Sequence, residues 1–337
     1  MNEKYYTVAK SISRWKIDTP FENWLGHKAD NSNFWKRLYV LYYRILDGKY
    51  YKKGLQLAKE EINRQERNAS CSMRGGVCVD MIYSLHRFGA TFNDYFIYKF
   101  YNLNAFGRSK FNTLKLQYGY CQLVNAESIR RLFEDKGACY ERFGEFYKRE
   151  ICVVKQGCDI DKFRDFVRKY PSFIYKPLNG HSGIGIKIYS GINGDKDTLQ
   201  EIMQEGDGQF IAEELIEQAD GMGVLHPESI NTIRILTFTT NGQVDIIGAA
   251  IRMGVGPSNV DNAGSGGIYA SVDAKEGIVN SLAYNNEGDR YLRHPDTSVV
   301  IPGFVVPQWE EALSLVNRMA LVEKEATMIA WDLGYSV

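Results

Sequence analysis

The chain has 337 residues, enough to bury a large core and to form two or more lobes. Lys+Arg and Asp+Glu are both 41, so no basic excess points to a nucleic-acid partner and no acidic tail is present. With 44% hydrophobic and 24% charged residues the composition is that of a globular protein, and no apolar run reaches the length of a bilayer span.

The start, Met1-Asn-Glu-Lys-Tyr-Tyr, lacks the apolar stretch of a signal peptide. The cytoplasm is therefore the expected location. Cys71, Cys78, Cys121, Cys139, Cys152 and Cys158 read as reduced thiols there, since none forms a C-x-x-C pair. The six residues between Cys71 and Cys78 do not match the usual spacing of zinc ligands.

Residues 1 to about 115 read as helical. Leu38, Leu41, Ile45 and Leu46 recur on one helix face, with Asp47-Gly48 as a stop. Leu55, Ala58 and Ile62 repeat the pattern on a segment whose Lys and Glu residues mark a solvated face. The aromatic run from Tyr95 to Tyr101 is expected to form a packing surface between lobes. A further helix is expected over Glu127–Lys136, followed by an amphipathic piece with Tyr140, Phe143 and Phe146 inward. Ile151–Val154 reads as a short strand, and Asp161–Tyr170 as a charged helix stopped by Pro171.

The most informative stretch is Phe173-Ile-Tyr-Lys-Pro-Leu-Asn-Gly-His-Ser-Gly-Ile-Gly-Ile-Lys187. It reads as a strand ending near Lys176, a glycine-rich turn and a second strand. Gly180, Gly183 and Gly185 let the backbone bend sharply and approach a ligand. Exposed N–H groups in such a loop form an anion-binding concavity, to which a lysine adds full charge, so a nucleotide triphosphate is the natural occupant. No G-K-[ST] follows and a strand comes next, which excludes a Walker A loop and a dinucleotide fingerprint.

Beyond it, Asp197–Glu205 reads as a helix with Leu199, Ile202 and Met203 on one face. Gln209–Ile216 reads as a buried strand interrupted by Glu213 and Glu214. Adjacent strand residues point to opposite sides, so one of the two glutamates must face inward and needs a partner. Ile233–Arg252 is a hairpin around Asn241-Gly242. A two-residue turn pairs 240 with 243 and 231 with 252, which places Asn231 beside Arg252 and turns Arg234 away. Arg234 reaches the same side only if a bulge breaks the register. Asp261–Gly267 is a polar loop. Ile268–Asn280 and Ser281–Tyr284 read as strand-like, Trp309, Leu313, Val316 and Ala320 mark a helix introduced by Pro307, and Met328 opens a last strand.

These pieces, in this order, resemble the ATP-grasp superfamily. The closer resemblance is to its sugar-transfer-associated branch, carried by Ser229-Ile-Asn-Thr-Ile-Arg-Ile235, Ala250-Ile-Arg-Met-Gly254, Val260-Asp-Asn262, His294-Pro-Asp296 and Ala330-Trp-Asp332. It covers about 125 to 332. It implies an α/β (α+β) fold in which two α+β subdomains sandwich ATP, after a helical N-terminal region over 1–115. The ATP-grasp domain would then run over 116–337, with a flap-bearing lobe at about 170–213 and a C-terminal lobe at about 214–337.

The resemblance also implies roles. Lys136 and Lys176 would reach the α- and β-phosphates. Asn179–Gly185, with Gly180, His181, Ser182, Gly183 and Gly185, would be the flap that closes on the phosphates. Glu213, Glu214, Leu215 and Ile216 would form the hinge that reads adenine, and Asp220 would bind ribose. Arg252, Arg234 and Asn231 would be catalytic, and Asp332 would be a magnesium ligand. In the family a short hairpin ending in Glu-x-Asn follows and supplies the remaining metal ligands, and this sequence stops at Val337, before that element. The implied activity is an ATP-dependent carboxylate–amine or carboxylate–thiol ligase acting through an acyl-phosphate, with small-molecule substrates. An amino sugar or polysaccharide precursor fits the family's link with bacterial surface polysaccharides, and a glycosyltransferase is the implied partner. The alternatives are a non-catalytic nucleotide- or partner-binding scaffold and a phosphotransferase on the same fold.

Overall fold

The structure, a computed structural model, describes residues 19–46, 48–68, 76–155, 160–178, 185–205 and 207–336. It divides into two units, Met1–Leu123 with Asn286–Asp289, and Val124–Asn285 with Arg290–Val337.

The first unit is built from α1 (Pro20–Asp30), α2 (Asn33–Leu46), α3 (Gly48–Asn68), α4 (Val77–Phe88), α5 (Phe92–Ile97) and α6 (Ala105–Arg108), and α7 (Leu114–Val124) closes it. Local sequence starts and stops these helices. Thr19 and Glu22 form a capping box around Pro20, and Thr91 and Asp94 form another at α5. Gly89, at φ 64°, ends α4.

Two expectations fail in this unit. The stripe of Leu38, Leu41, Ile45 and Leu46 is not the core face of α2. Tyr39 and Val40 are buried instead, whereas Leu41, Ile45 and Leu46 are exposed. The larger aromatic area wins the interior. Tyr39 packs against the rings of Tyr43 and Tyr83 at 5.0 and 5.7 Å. Much of the aromatic run from Tyr95 to Tyr101 likewise packs within this unit, with Tyr101 exposed. Tyr95, Phe96 and Phe100 belong to its core, and Tyr95 Oη donates to Asp80 at 2.7 Å. Asp80 also takes both Nη groups of Arg108 and the ammonium of Lys36, so the charge inside this helical core is compensated.

The second unit holds two antiparallel sheets. The smaller has four strands in the order β1 (Ile151–Val154), β4 (Phe210–Glu214), β2 (Phe173–Pro177), β3 (Lys187–Tyr189). The larger has six, in the order β10 (Met328–Gly334), β5 (Thr232–Thr240), β6 (Gln243–Met253), β7 (Ile268–Val272), β8 (Ala283–Tyr284), β9 (Arg290–Tyr291). Its helices are α8 (Glu127–Glu134), α9 (Lys136–Phe143), α10 (Ile160–Lys169), α11 (Lys196–Met203), α12 (Asp220–Gly223) and α13 (Trp309–Val322).

The helix expected over Glu127–Lys136 is two helices. Asp135 ends α8 and caps α9, its carboxylate accepting from Gly137 N at 2.8 Å and Ala138 N at 3.1 Å. Lys136 therefore starts a new helix. The first strand expected after Gly267 ends at Val272, because Asp273–Gly277 is a turn held by the Asp273 carboxylate, with Gly277 at φ 69°.

In the larger sheet, Ile233, Ile235, Ile251, Met253 and Trp331 face a core that α13 covers with Trp309, Val316 and Ala320. The opposite face carries Thr232, Arg234, Arg252 and Asp332, none of them buried. The smaller sheet packs Phe173, Tyr175 and Phe210 against Phe163 of α10 and Leu199 of α11. Cys78 and Cys139 are free thiols, and Cys71 and Cys158 lie outside the described residues.

Candidate functional site

Lys176 sits at the penultimate position of β2, as its place in the sequence implies. Glu213, on the neighbouring β4, is the inward glutamate. It is 3% exposed, and its Oε2 meets Lys176 Nζ at 2.8 Å and Arg149 Nη2 at 2.8 Å. Burial alone would push the Glu213 carboxyl up. The Lys176 ammonium and the Arg149 guanidinium outweigh burial and hold it below the usual carboxylate range. Arg149 had no distinguishing motif and was missed by sequence reasoning. Glu214 points the other way, and its Oε2 accepts the N–H of Glu150 at 2.9 Å.

Lys136 Nζ donates to the carbonyls of Pro177 at 2.8 Å and Leu178 at 3.1 Å, where β2 gives way to the glycine loop. Burial and the nearby Lys176 ammonium push its pKa down, against the pull of Glu213 and Asp135. Two lysines thus converge at the mouth of that loop. Gly180, His181, Ser182 and Gly183 lie outside the described residues. Gly185 is described, at φ 77°, and a Cβ there would lie 2.9 Å from Pro177 Cγ, so this close return requires glycine.

After β4 the chain runs to the end of β10. Ile216 Cδ1 lies 3.5 Å from where a Cβ on Gly334 would be, and Ala219 N–H donates to Tyr335 O at 2.9 Å. Gly334 shares a sheet face with Asp332, two residues away on the same strand. The Glu213–Ile216 segment therefore leads onto the face that carries Asp332. Leu215 is exposed. Asp220 is exposed at the start of α12, and among the described residues no other candidate side chain hydrogen-bonds to it.

The hairpin register differs from expectation at one point. Asn241 and Gly242 both have positive φ, and Thr240 pairs with Gln243 as a two-residue turn requires. Leu236 then pairs with Gly248 and Thr237 with Ile246, leaving Ile247 as the extra residue of a bulge. Beyond the bulge Arg252 pairs with Thr232, not with Asn231. Asn231 is fully buried on the other side. Its Nδ2 donates to Met222 O at 3.1 Å and His226 O at 2.8 Å, which makes it a core fastener and not a neighbour of Arg252. The same bulge brings Arg234 to the face of Arg252.

Three strands thus converge. Arg234 Nε and Nη2 each donate to the Asp332 carboxylate at 2.7 Å, and Arg252 Nη2 lies 3.3 Å from Asp332 Oδ2. The pairing with Asp332 also raises the pKa of Arg234 above its ordinary value. Arg252 further contacts Thr232 and Asp261, which sequence reasoning left without a role. The cross-strand row through Arg252 continues to Tyr269, Tyr284 and Arg290 on the same face.

Asp332 offers hard oxygen donors beside two guanidinium groups, a donor set suited to magnesium and phosphate oxygens. Among the described residues no cluster of three or more His, Cys, Asp or Glu side chains could hold a metal ion by itself.

Two antiparallel sheets, with lysines at the glycine loop of one and arginines with an aspartate on the open face of the other, make up an ATP-grasp fold. The chain belongs to the sugar-transfer associated ATP-grasp family, whose model matches residues 115–335. Among solved structures it is similar to D-alanine–D-alanine ligase from Bacillus anthracis, at 13% identity and TM-score 0.32, over 66% of this chain and 65% of that one. It is similar to N5-carboxyaminoimidazole synthetase from Staphylococcus aureus complexed with ADP, at 11% identity and TM-score 0.29, over 53% and 56%. It is also similar to the biotin carboxylase domain of Hydrogenobacter thermophilus 2-oxoglutarate carboxylase, at 13% identity and TM-score 0.35, over 62% and 40%. The chain thus spans only 40 to 65% of the length of these three proteins. No curated protein matches it. Among the described residues no helix is long and apolar enough to cross a membrane.

Proposed function

We propose that the chain is an ATP-dependent carboxylate–amine (or carboxylate–thiol) ligase that works through an acyl-phosphate. The observation that supports this most is the paired arrangement of Lys136 and Lys176 at the glycine loop, with Arg252 and Asp332 on the open face of the larger sheet. In this reading residues 116–337 form the ATP-grasp domain.

Lys136 and Lys176 take up phosphate charge. Burial and the nearby Lys176 ammonium both depress the pKa of Lys136, and a bound polyanion there relieves the second of these, the repulsion between the two ammonium groups. Glu213 keeps Lys176 aimed through their ion pair, and the Asn179–Gly185 flap excludes water from the reactive acyl-phosphate. Backbone groups of Glu213–Ile216 read the adenine edge, and Asp220 takes the ribose. Arg252 stabilises the charge that develops as the phosphoryl group passes to the substrate carboxylate, with Arg234 beside it. The amine then attacks the acyl carbon and phosphate leaves, with no protein nucleophile. Asp332 would hold magnesium, which supplies neutralising charge for the nucleotide's phosphate oxygens.

The family's link with sugar transfer supports an amino sugar or polysaccharide precursor as acceptor, a glycosyltransferase as partner and a cytoplasmic place in bacterial surface polysaccharide synthesis. The test is calorimetric titration with ATP, with and without magnesium, beside Lys176→Ala, followed by product mass with a panel of carboxylates and amines. Saturable binding lost in Lys176→Ala, with ADP, phosphate and an amide formed, is the expected result. ADP with a phosphorylated acceptor and no amide sinks the ligase reading in favour of a phosphotransferase. No binding by a folded chain sinks it in favour of a scaffold.

A further inference from the structure

Arg252 hydrogen-bonds to a hydroxyl, while its ion pairs with carboxylates are longer, 3.3 Å to Asp332 Oδ2 and 3.5 Å to Asp261 Oδ2. Its Nε and Nη2 both donate to Thr232 Oγ1, at 2.9 and 2.8 Å. The Thr232 hydroxyl proton goes to Asp261 Oδ2, and the Thr232 backbone N–H donates to the same oxygen at 3.0 Å. A hydroxyl has one proton to give and two lone pairs to offer. With the proton committed to Asp261, the oxygen presents only lone pairs to the guanidinium. Hydrogen bonds in such a chain polarise one another.

The fold builds this arrangement with care. Thr232 lies directly across the ladder from Arg252 because the bulge at Ile247 puts it there. Its β-branched side chain has few rotamers on a strand, so the hydroxyl direction is set. Asp261 is buried, and its loop is tied back to the end of β6 at Gly267, where a Cβ would lie 2.5 Å from Asp261 O and 2.8 Å from Met253 O. Direct charge contact with Arg252 is looser, since Asp261 Oδ2 stands 3.5 Å from Nε. Among the described residues the Nη1 end of Arg252 has no hydrogen-bond partner, which leaves that prong for a ligand.

We propose that Thr232 is a positioning residue for Arg252, with Asp261 fixing the direction of its hydroxyl, so that the guanidinium is oriented in advance toward the terminal phosphate of ATP. A guanidinium already held in place loses less conformational freedom when the anion arrives. This inference rests on the reading of Arg252 as the group that faces the transferred phosphoryl.

The test is the ratio of ATP to ADP affinity, measured by calorimetry with magnesium. It needs no acceptor substrate, and a general loss of structure would lower both affinities together. Arg252→Met is expected to bring the ratio close to one. Thr232→Val, which keeps shape and removes the acceptor, is expected to lower the ratio about tenfold with ADP affinity kept. Thr232→Ser should restore it, and Asp261→Ala should share the loss. A Thr232→Val ratio equal to wild type, where Arg252→Met lowers it, overturns the inference and leaves the proposed function standing. An Arg252→Met chain that keeps the wild-type ratio overturns the reading of Arg252, and this inference with it.

Discussion

Arg234 and Asp332 lie directly opposite each other on β5 and β10, and their side chains meet in a two-pronged ion pair with both contacts at 2.7 Å. Arg252 approaches the same carboxylate from β6. A cation can bind Asp332 only by exchange with these guanidinium groups, which an arriving polyphosphate would take over. Nucleotide and magnesium should therefore bind cooperatively. Asp332→Asn is expected to remove the magnesium-dependent gain in ATP affinity, about tenfold, and to leave magnesium-free binding within about twofold. Calorimetry on both chains decides, and an undiminished gain in the variant excludes Asp332 as the metal ligand.

Lys176 and Glu213 separate binding from stability. Glu213→Gln strips the counter-charge from Lys176 and Arg149, and is expected to cost about 2 kcal/mol of stability, discounted because both cations are partly exposed. Lys176→Ala leaves Glu213 its bond to Arg149, so a smaller loss of about 1 kcal/mol is expected. Its ATP affinity should fall by about tenfold or more. Thermal melts beside ATP titrations check both, and equal melting temperatures for the two variants contradict this division.

Buried His294 should make stability depend on pH. Its Nε2 contacts Gly254 O at 2.8 Å, and its Nδ1 accepts the Asp296 N–H at 3.3 Å, so both ring nitrogens are satisfied in the neutral form. Burial pushes its pKa below 6.5, the Gly254 carbonyl and Asp296 oppose that, and the His226 ring adds to it. The unfolded chain then takes up the proton first as pH falls. Stability is full above about 6.5 and declines below it, toward the lower folded pKa. His294→Gln should flatten the melting curve between about pH 7 and pH 5. Equal slopes for variant and wild type across that window count against it.

Gly267 is required where the Asp261 loop meets β6. Any side chain there meets two backbone carbonyls, Asp261 O at 2.5 Å and Met253 O at 2.8 Å, which cannot swing aside. Gly267→Ala is expected to destabilise by about 3 kcal/mol, seen as a lower denaturant midpoint. Gly242→Ala is the control, since its Cβ would have open space and only the strain of φ 78°. A loss at Gly267 no larger than at Gly242 removes the steric argument.

Sequence alone was sufficient for what is local. Two β-rich runs marked β5 and β6, Asn-Gly marked the turn between them, and the glycine-rich run placed Lys176 at the end of β2. The opposed directions of Glu213 and Glu214 follow from strand geometry. The ATP-grasp membership was legible because its motifs recur in a set order. Tertiary structure decided the rest, because those choices depend on which surfaces are buried together. One extra residue, Ile247, exchanges the partner of Arg252 from Asn231 to Thr232, and a shift of one residue turns a side chain from the site to the core. The rings of Tyr39 and Tyr83, distant in sequence, took the interior that a leucine stripe on α2 promised to fill. Asp261 reached Thr232 across 29 residues, a contact that no local spacing encodes.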